Sequence, residues 1–285
     1  MVQGSCLCGD IAWEAGAFEL ASYCHCSLCR KMSGAAYASF VAARESSFRW
    51  LRGGDGARRF ESSPGFYRCF CARCGSKVPG TPSEGRVFMS LGTLDGDPGV
   101  RPLGHIFAAS KAVWHDITDA LPRFDELPPG FELVAVPARP RKSAPPGRIA
   151  GSCLCDAVGY ELEPPIGILR NCHCSRCRKA RGSAHATNAV LPLERVRWTR
   201  GETRVRSFKL PDARYFTQCF CELCGSPMPR LDPERALAIV PAGSIDGDPG
   251  VRVSEHIFVD SKAPWHAITD AATRHPGPPP AALPR

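Results

Sequence analysis

Sixteen cysteines, and the spacing between them, are the residues in this chain with chemistry to offer. Fourteen of them fall into three kinds of cluster, and each kind occurs twice. Cys6-x-Cys8 and Cys153-x-Cys155 are close pairs, while Cys71-x-x-Cys74-Gly75 and Cys221-x-x-Cys224-Gly225 have the knuckle spacing of a zinc turn. On a strand, residues i and i+2 face one side, so the first pair can aim both sulfurs at one ion. A tetrahedral zinc site needs four ligands. Cys6, Cys8, Cys71 and Cys74 supply them, and so do Cys153, Cys155, Cys221 and Cys224. Each set is predicted to hold a structural zinc whose loading is coupled to folding.

The third kind is a trio, Cys24-x-Cys26-x-x-Cys29, repeated as Cys172-x-Cys174-x-x-Cys177. Three thiolates can wrap one face of zinc and leave a fourth position open, as catalytic zinc sites do. Three thiolates and Zn²⁺ sum to −1, a weak Lewis acid for water. Such a centre suits the binding of another thiol, held as thiolate. Arg30 and Lys31, with Arg178 and Lys179 in the second copy, lie beside the trios and are candidate contacts for an anionic substrate. Four zinc ions per chain are expected.

Cys69 and Cys219 are left over. Three readings stand: a buried bystander, a redox-active thiol, or a fourth ligand that would close the trio. His25 and His173 alternate with trio ligands and are expected to point away from the metal. His105 and His256 read as hydrogen-bonded core residues, and His115 and His266, after Trp, as exposed. Lys111 and Lys262 read as exposed lysines. Asp95-Gly96-Asp97-Pro98-Gly99 and its repeat are too short for a calcium loop and read as turns.

The elements that position these clusters are themselves duplicated. Cys6 returns as Cys153, an offset of 147, and His105 as His256, an offset of 151. So long a period means two whole domains rather than a solenoid. The boundaries expected are a first copy over 1–130, a Pro/Arg-rich linker over 131–149, a second copy over 150–272 and a disordered Pro-rich tail over 273–285. Alternation at 10–14, 157–161, 48–51, 196–198 and 86–91 predicts strands, and a short helical turn is expected over Ser27–Ser33. No long segment has a 3.6-residue period, so the class is mostly β. The two copies are candidates to pack as an intramolecular pseudo-dimer.

The net charge is +8, but half of it comes from Arg139, Arg141, Lys142 and Arg148 within residues 134–150. The folded parts are nearly neutral, which disfavours a nucleic-acid-binding face. No apolar run is long enough to span a membrane. The first residues lack a basic and then apolar leader, so a cytoplasmic, reducing environment is expected, in which clustered cysteines mean metal.

The ordered set Gly-x-Cys-x-Cys, Cys-His-Cys-x-x-Cys-Arg and Phe-Cys-x-x-Cys-Gly-Ser, followed by His-Ile-Phe and Ser-Lys-Ala-x-Trp, resembles the glutathione-dependent formaldehyde-activating enzyme family, also called the centromere-protein-V domain family. The resemblance covers nearly all of both copies. It implies an Mss4-like (β-tent) zinc-binding fold with two zinc ions per domain. By the same resemblance Cys24, Cys26 and Cys29, and Cys172, Cys174 and Cys177, hold the catalytic zincs. The implied activity is a carbon–sulfur lyase reaction, glutathione plus formaldehyde giving S-hydroxymethylglutathione, with glutathione or another small thiol as co-substrate. The alternative is a non-enzymatic zinc module that binds nucleic acid or protein.

Overall fold

The computed structural model describes residues 1–131 and 143–279. In the first copy, Val2–Ser5, Ala12–Ala15 and Phe48–Arg52 form an antiparallel sheet. Arg86–Ser90, Ala38–Arg44, Phe18–Cys24 and His105–Ile106 form a second sheet in that order, and Ala57–Ser63 pairs with Phe66–Cys71 in a hairpin. The one α-helix of this copy, α1 (Ser27–Ser33), joins the second sheet's strands Phe18–Cys24 and Ala38–Arg44. Strands therefore appear where the apolar alternation predicts them.

The second copy repeats this plan. Ile149–Ser152, Gly159–Leu162 and Val196–Arg200 form its small sheet, and Val205–Lys209 with Thr217–Cys221 its hairpin. Its larger sheet runs Arg230–Asp232, Leu237–Pro241, Ala186–Pro192, Ile168–Cys172, Val253–Ile257, Thr273–His275. Its helix is α2 (Ser175–Arg181). Both copies are mostly β. Trp13, Trp114, Tyr160 and Trp265 are buried in one continuous core that also gathers residues of both copies.

One expectation needs correction. The tail expected to be disordered from residue 273 begins with the strand Thr273–His275, paired in parallel with Val253–Ile257. That strand pairs along one side as the edge strand of the larger sheet, and the first copy makes the same bridge between His105 and Arg123. Residues 280–285 lie outside the described residues. So do Arg139, Arg141 and Lys142 of the linker, while Arg148 is paired with Glu163 at 2.9 Å.

The copies touch through their helices, reciprocally. The end of α1 packs on the turn Ala242–Ser244 of copy two, and the end of α2 on the turn Leu91–Thr93 of copy one. Gly243 and Gly92 make this approach feasible: a Cβ on Gly243 would stand 2.3 Å from the Arg30 carbonyl, and one on Gly92 2.3 Å from that of Ser183. The Gly243 N–H donates to the Gly34 carbonyl at 3.2 Å. Beside each helix a lysine crosses between copies. Lys31 pairs with Asp246 at 2.7 Å and donates to the Ser152 carbonyl and hydroxyl. Lys179 pairs with Asp95 and donates to the Ser5 hydroxyl.

These two ion pairs differ in cover. The Lys31 and Asp246 side chains are 10% and 6% exposed, against 20% and 44% for Lys179 and Asp95. Burial pulls the Lys31 ammonium below its usual range, and Asp246 opposes that pull. Replacing Lys31 by Met strands a buried carboxylate and is expected to lower stability by about 3 kcal/mol. Lys179→Met is expected to cost at most about 1 kcal/mol, because its partner is solvated. Denaturant unfolding of the two zinc-loaded variants checks this; equal losses would mean the burial difference carries no energy.

Candidate metal centres

In copy one the strand Val2–Ser5 ends just before Cys6. The Cys6–Cys8 pair therefore sits in the tight turn that follows, not on the strand expected for it, and Gly9 N–H closes that turn onto the Cys6 carbonyl. The strand Phe66–Cys71 delivers Cys71 at its end. The chain then turns through Gly75, at φ 73°, whose N–H returns to the Cys71 carbonyl at 2.9 Å. That positive φ suits glycine and brings Cys74 alongside.

The sulfurs of Cys6, Cys8, Cys71 and Cys74 lie within 4.8 Å of one another, as do those of Cys153, Cys155, Cys221 and Cys224. Cys6 and Cys8 are 3.4 Å apart and Cys8 and Cys71 3.7 Å, and the second copy repeats both distances. Sulfurs at about 2.3 Å around a tetrahedral zinc would stand about 3.8 Å apart, so the donor sets fit that ion. Backbone N–H groups of Ile11 and Val158 point at Cys6 and Cys153, each at 3.3 Å. Such bonds favour the thiolate form.

The trios are built at helix starts. Cys24 closes the strand Phe18–Cys24; Cys26 is the N-cap of α1, its sulfur accepting from the Cys29 N–H at 3.4 Å. In copy two Cys174 caps α2 the same way at 3.5 Å. The sulfurs of Cys24, Cys26 and Cys29, and of Cys172, Cys174 and Cys177, each converge within 4.8 Å. Hydrogen bonds from Cys24 and Cys26 hold the Cys29 thiol well below its usual range, and Cys174 is held low by Cys172 and Cys177. Neither Cys69 nor Cys219 joins a set, so among the described residues no fourth His, Cys, Asp or Glu completes either trio. Burial pushes both leftover thiols up.

Behind each trio runs a hydrogen-bonded chain. His105 Nε2 meets Asp119 at 2.9 Å, and His105 Nδ1 meets His25 Nε2 at 2.8 Å. Asp270, His256 and His173 repeat it at 2.9 and 2.8 Å. A carboxylate only accepts, so with Asp119 ionised His105 carries its proton on Nε2. His25 then carries its own on Nε2 and keeps a bare Nδ1. That atom, and its counterpart on His173, is buried with no partner. The histidines of the two copies also meet partners across the interface: Tyr23 OH lies 3.1 Å from His266 Nδ1, and Tyr37 OH 3.1 Å from His185 Nε2.

Several expected roles change. Lys31 and Lys179, expected to contact a substrate anion, are held by Asp246 and Asp95 of the opposite copy, as the first aspartate of each Asp-Gly-Asp-Pro-Gly turn. Arg30 and Arg178 donate from Nε to the His25 and His173 carbonyls at 3.1 and 3.3 Å, inside the trio loops. His266 is buried and His115 half-buried, because each stacks on the trio histidine of its own copy. Lys111 and Lys262 fold back onto the carbonyls of those two residues. Sequence reasoning missed Asp119 and Asp270, although Ile117-Thr118-Asp119-Ala120 returns as Ile268-Thr269-Asp270-Ala271 at the same offset of 151. It also missed Arg68, which donates to Cys29 Sγ at 3.5 Å.

Two outcomes follow. Elemental analysis is expected to give four zinc ions per chain; Cys26→Ser should leave three with the fold retained, while Cys6→Ser should also lower the melting temperature. Loss of two ions from Cys26→Ser would mean that the trios do not bind separately. Acid should destabilise the fold. Burial pushes the His115 ring down to about 4 and His173 to about 3, and also lowers His185 and His266. Below the ordinary value near 6.5 the unfolded chain binds protons that the folded chain does not, so stability falls with falling pH. Each such histidine contributes about 1.4 kcal/mol per pH unit. A flat unfolding free energy between about pH 7 and about pH 5.5 would contradict this.

Comparison with known proteins gives the family. The description "glutathione-dependent formaldehyde-activating enzyme" matches residues 1–110 and again residues 148–261. No functionally curated protein matches the chain. A crystal structure of a Rhodobacter sphaeroides protein is 26% identical to it, with a TM-score of 0.30, covering 35% of this chain and 89% of its own. Two matched segments that together span most of the chain, each with a Cys₄ set and a trio, place this protein in the glutathione-dependent formaldehyde-activating enzyme family, with its Mss4-like fold in tandem.

Proposed function

We propose that the chain is a zinc-dependent carbon–sulfur lyase-type enzyme that acts on a thiol–aldehyde adduct, of the kind that joins glutathione and formaldehyde into S-hydroxymethylglutathione. The observation that carries this reading is the trio: three converging sulfurs with no fourth protein donor among the described residues, beside a separate and complete Cys₄ set. A zinc bound there would keep an incoming thiol deprotonated and oriented. In the forward reaction the thiol sulfur bonds to the formaldehyde carbon. The C=O π pair moves onto oxygen, which takes up the proton the thiol gave up.

The chain's own residues supply position. The N-cap geometry of Cys26 and Cys174 fixes two ligands of each trio relative to the helix. Arg30 and Arg178 brace the loop carbonyls between ligands, and the Asp–His–His chains brace the intervening rings from behind. Bracing of this kind turns a chance encounter into a near-attack geometry. A small cavity between the copies, lined by Ser27, Arg30, Lys31, Trp114, Gly243 and Asp246, lies beside the start of α1.

The two copies act as an intramolecular pseudo-dimer in this reading, since each helix that bears trio ligands rests on the other copy. Sixteen free cysteines and zinc-bound thiolates suit a reducing compartment, the cytoplasm. Among the described residues no helix is long and apolar enough to cross a membrane. Exchange spectroscopy on a glutathione–formaldehyde mixture tests the activity. Zinc-loaded protein is expected to accelerate exchange between free and adduct glutathione at least tenfold over buffer. Cys26→Ser with Cys174→Ser should abolish the effect. No acceleration by the loaded wild type would sink the reaction proposed here.

A further inference from the structure

Each trio has a buried guanidinium beside it, but the two copies take it from different places in the chain. In copy one it is Arg68, on the strand Phe66–Cys71 and 8% exposed. Its Nη2 donates to Cys29 Sγ at 3.5 Å, its Nη1 lies 3.7 Å from Met32 Sδ, and its Nε donates to the Ser62 hydroxyl. The guanidinium lies 4.7 Å from the Phe66 ring and 5.9 Å from that of Phe40.

The equivalent strand of copy two has no arginine there. Arg68 faces Phe60 across its hairpin, and Gln218 faces Phe208 across the matching one. Gln218 is buried, and its Nε2 has no partner. The cation comes instead from Arg181, at the end of α2, four residues after Cys177 and so on the same helix face. The corresponding residue of α1 is Ser33, and Met32 of α1 is matched by the smaller Ala180. Arg181 Nη2 donates at 3.2 Å to Asn188, which stands where copy one has Phe40. Burial pulls the Arg181 guanidinium down to about 10, and Cys177, Cys219 and Cys172 pull it back up.

Neither arginine has a carboxylate partner among the described residues. A buried cation without an anion is costly, and the trio thiolates can supply one: Arg68 contacts Cys29 Sγ, and Arg181 stands one helical turn from Cys177. Loss of the strand arginine in copy two coincides with gain of the helix arginine, so the requirement is for the charge and not for a given chain position.

We propose that Arg68 and Arg181 are interchangeable counter-cations of the two trios. They are positioning residues that offset the net negative charge of three thiolates and a divalent ion, and so allow an anionic thiolate to take the fourth place. The last clause rests on the lyase reading; the charge-offset clause does not.

Cobalt(II) serves as the probe metal in full-length protein, read by its thiolate charge-transfer bands. A Cys174→Ser background leaves the trio of copy one as the one intact three-sulfur set beside the two Cys₄ sets, so its cobalt is read as the difference from a Cys26→Ser, Cys174→Ser control. There Arg68→Gln is expected to weaken cobalt retention against a chelator by about tenfold or more, and Arg68→Lys to recover most of the loss. Adding Ser33→Arg and Met32→Ala to Arg68→Gln transplants the copy-two arrangement and should restore retention. Arg181→Gln in a Cys26→Ser background is the independent arm if Arg68→Gln fails to fold. Wild-type retention in the charge-removing variants, or a transplant that folds and does not restore it, overturns the counter-cation role. Glutathione added to the cobalt protein should shift the bands, and less so in the variants. An unchanged spectrum in the wild type would remove the thiolate clause and count against the lyase reading, while the retention measurement still decides the charge role.

Discussion

Buried negative charge is the constraint the rest of this structure answers to. Fourteen sulfurs gather in four clusters, and nearly all of them are shielded from water. As zinc ligands they must be thiolates. A Cys₄ set with Zn²⁺ then carries −2 and a trio −1, inside a medium that solvates ions poorly. The fold supplies compensation in graded forms. Backbone N–H groups of Ile11 and Val158 point at ligand sulfurs. Lys77 is fully buried and donates to the Gly75 and Gly225 carbonyls, one in each knuckle turn, so that one ammonium serves the Cys₄ regions of both copies. Burial pulls that ammonium down to about 7, while Cys224 and Cys74 pull it back up.

Lys77 also shows why the two copies belong together. Its counterpart in copy two is Pro227, which forms the same backbone bridge, to Phe220, that Lys77 forms to Phe70. Two lysines could not both occupy the space between the turns without repelling each other. A homodimer of identical copies would be forced to place both or neither. Fusion of the copies in one chain removes that symmetry requirement. Lys77 against Pro227 and Arg68 against Arg181 are differences only a duplicated chain can hold in a fixed arrangement. Tyr23 against Asn171 and Tyr37 against His185 differ in the same way at the aromatic and histidine contact.

How much of this could be read in the sequence depends on the range of the interaction. Clusters set by local spacing were legible: the cysteine sets, the helical turn over Ser27–Ser33, the strands with alternating faces and the duplication itself. Roles that depend on which surfaces meet were not. Lys31 beside a trio reads as a substrate contact until Asp246, far along the chain, is brought to it. Asp119 carries no motif and acquires its role only through His105. The start of the tail is hard to read for a related reason: its proline content masks the continued repeat, although Asp119 and Arg123 return as Asp270 and Arg274 at the same offset as His105 and His256.

The contrast between what the copies share and what they vary separates the requirements of the metal from those of its support. All eight cysteines and one Asp–His–His chain are present in each copy, with closely matching distances. A ligand must offer the right atom at the right place, and no neighbouring residue can substitute for a missing sulfur. Charge acts at longer range and with less geometric demand, so it can be supplied from a strand in one copy and from a helix in the other. A mutation that removes the guanidinium from one position is therefore survivable if another appears within a few ångströms, whereas loss of a ligand has no such remedy. The surroundings of the trios can thus diverge while their metal sets stay fixed, which is how one duplicated scaffold can present two similar centres in unlike settings.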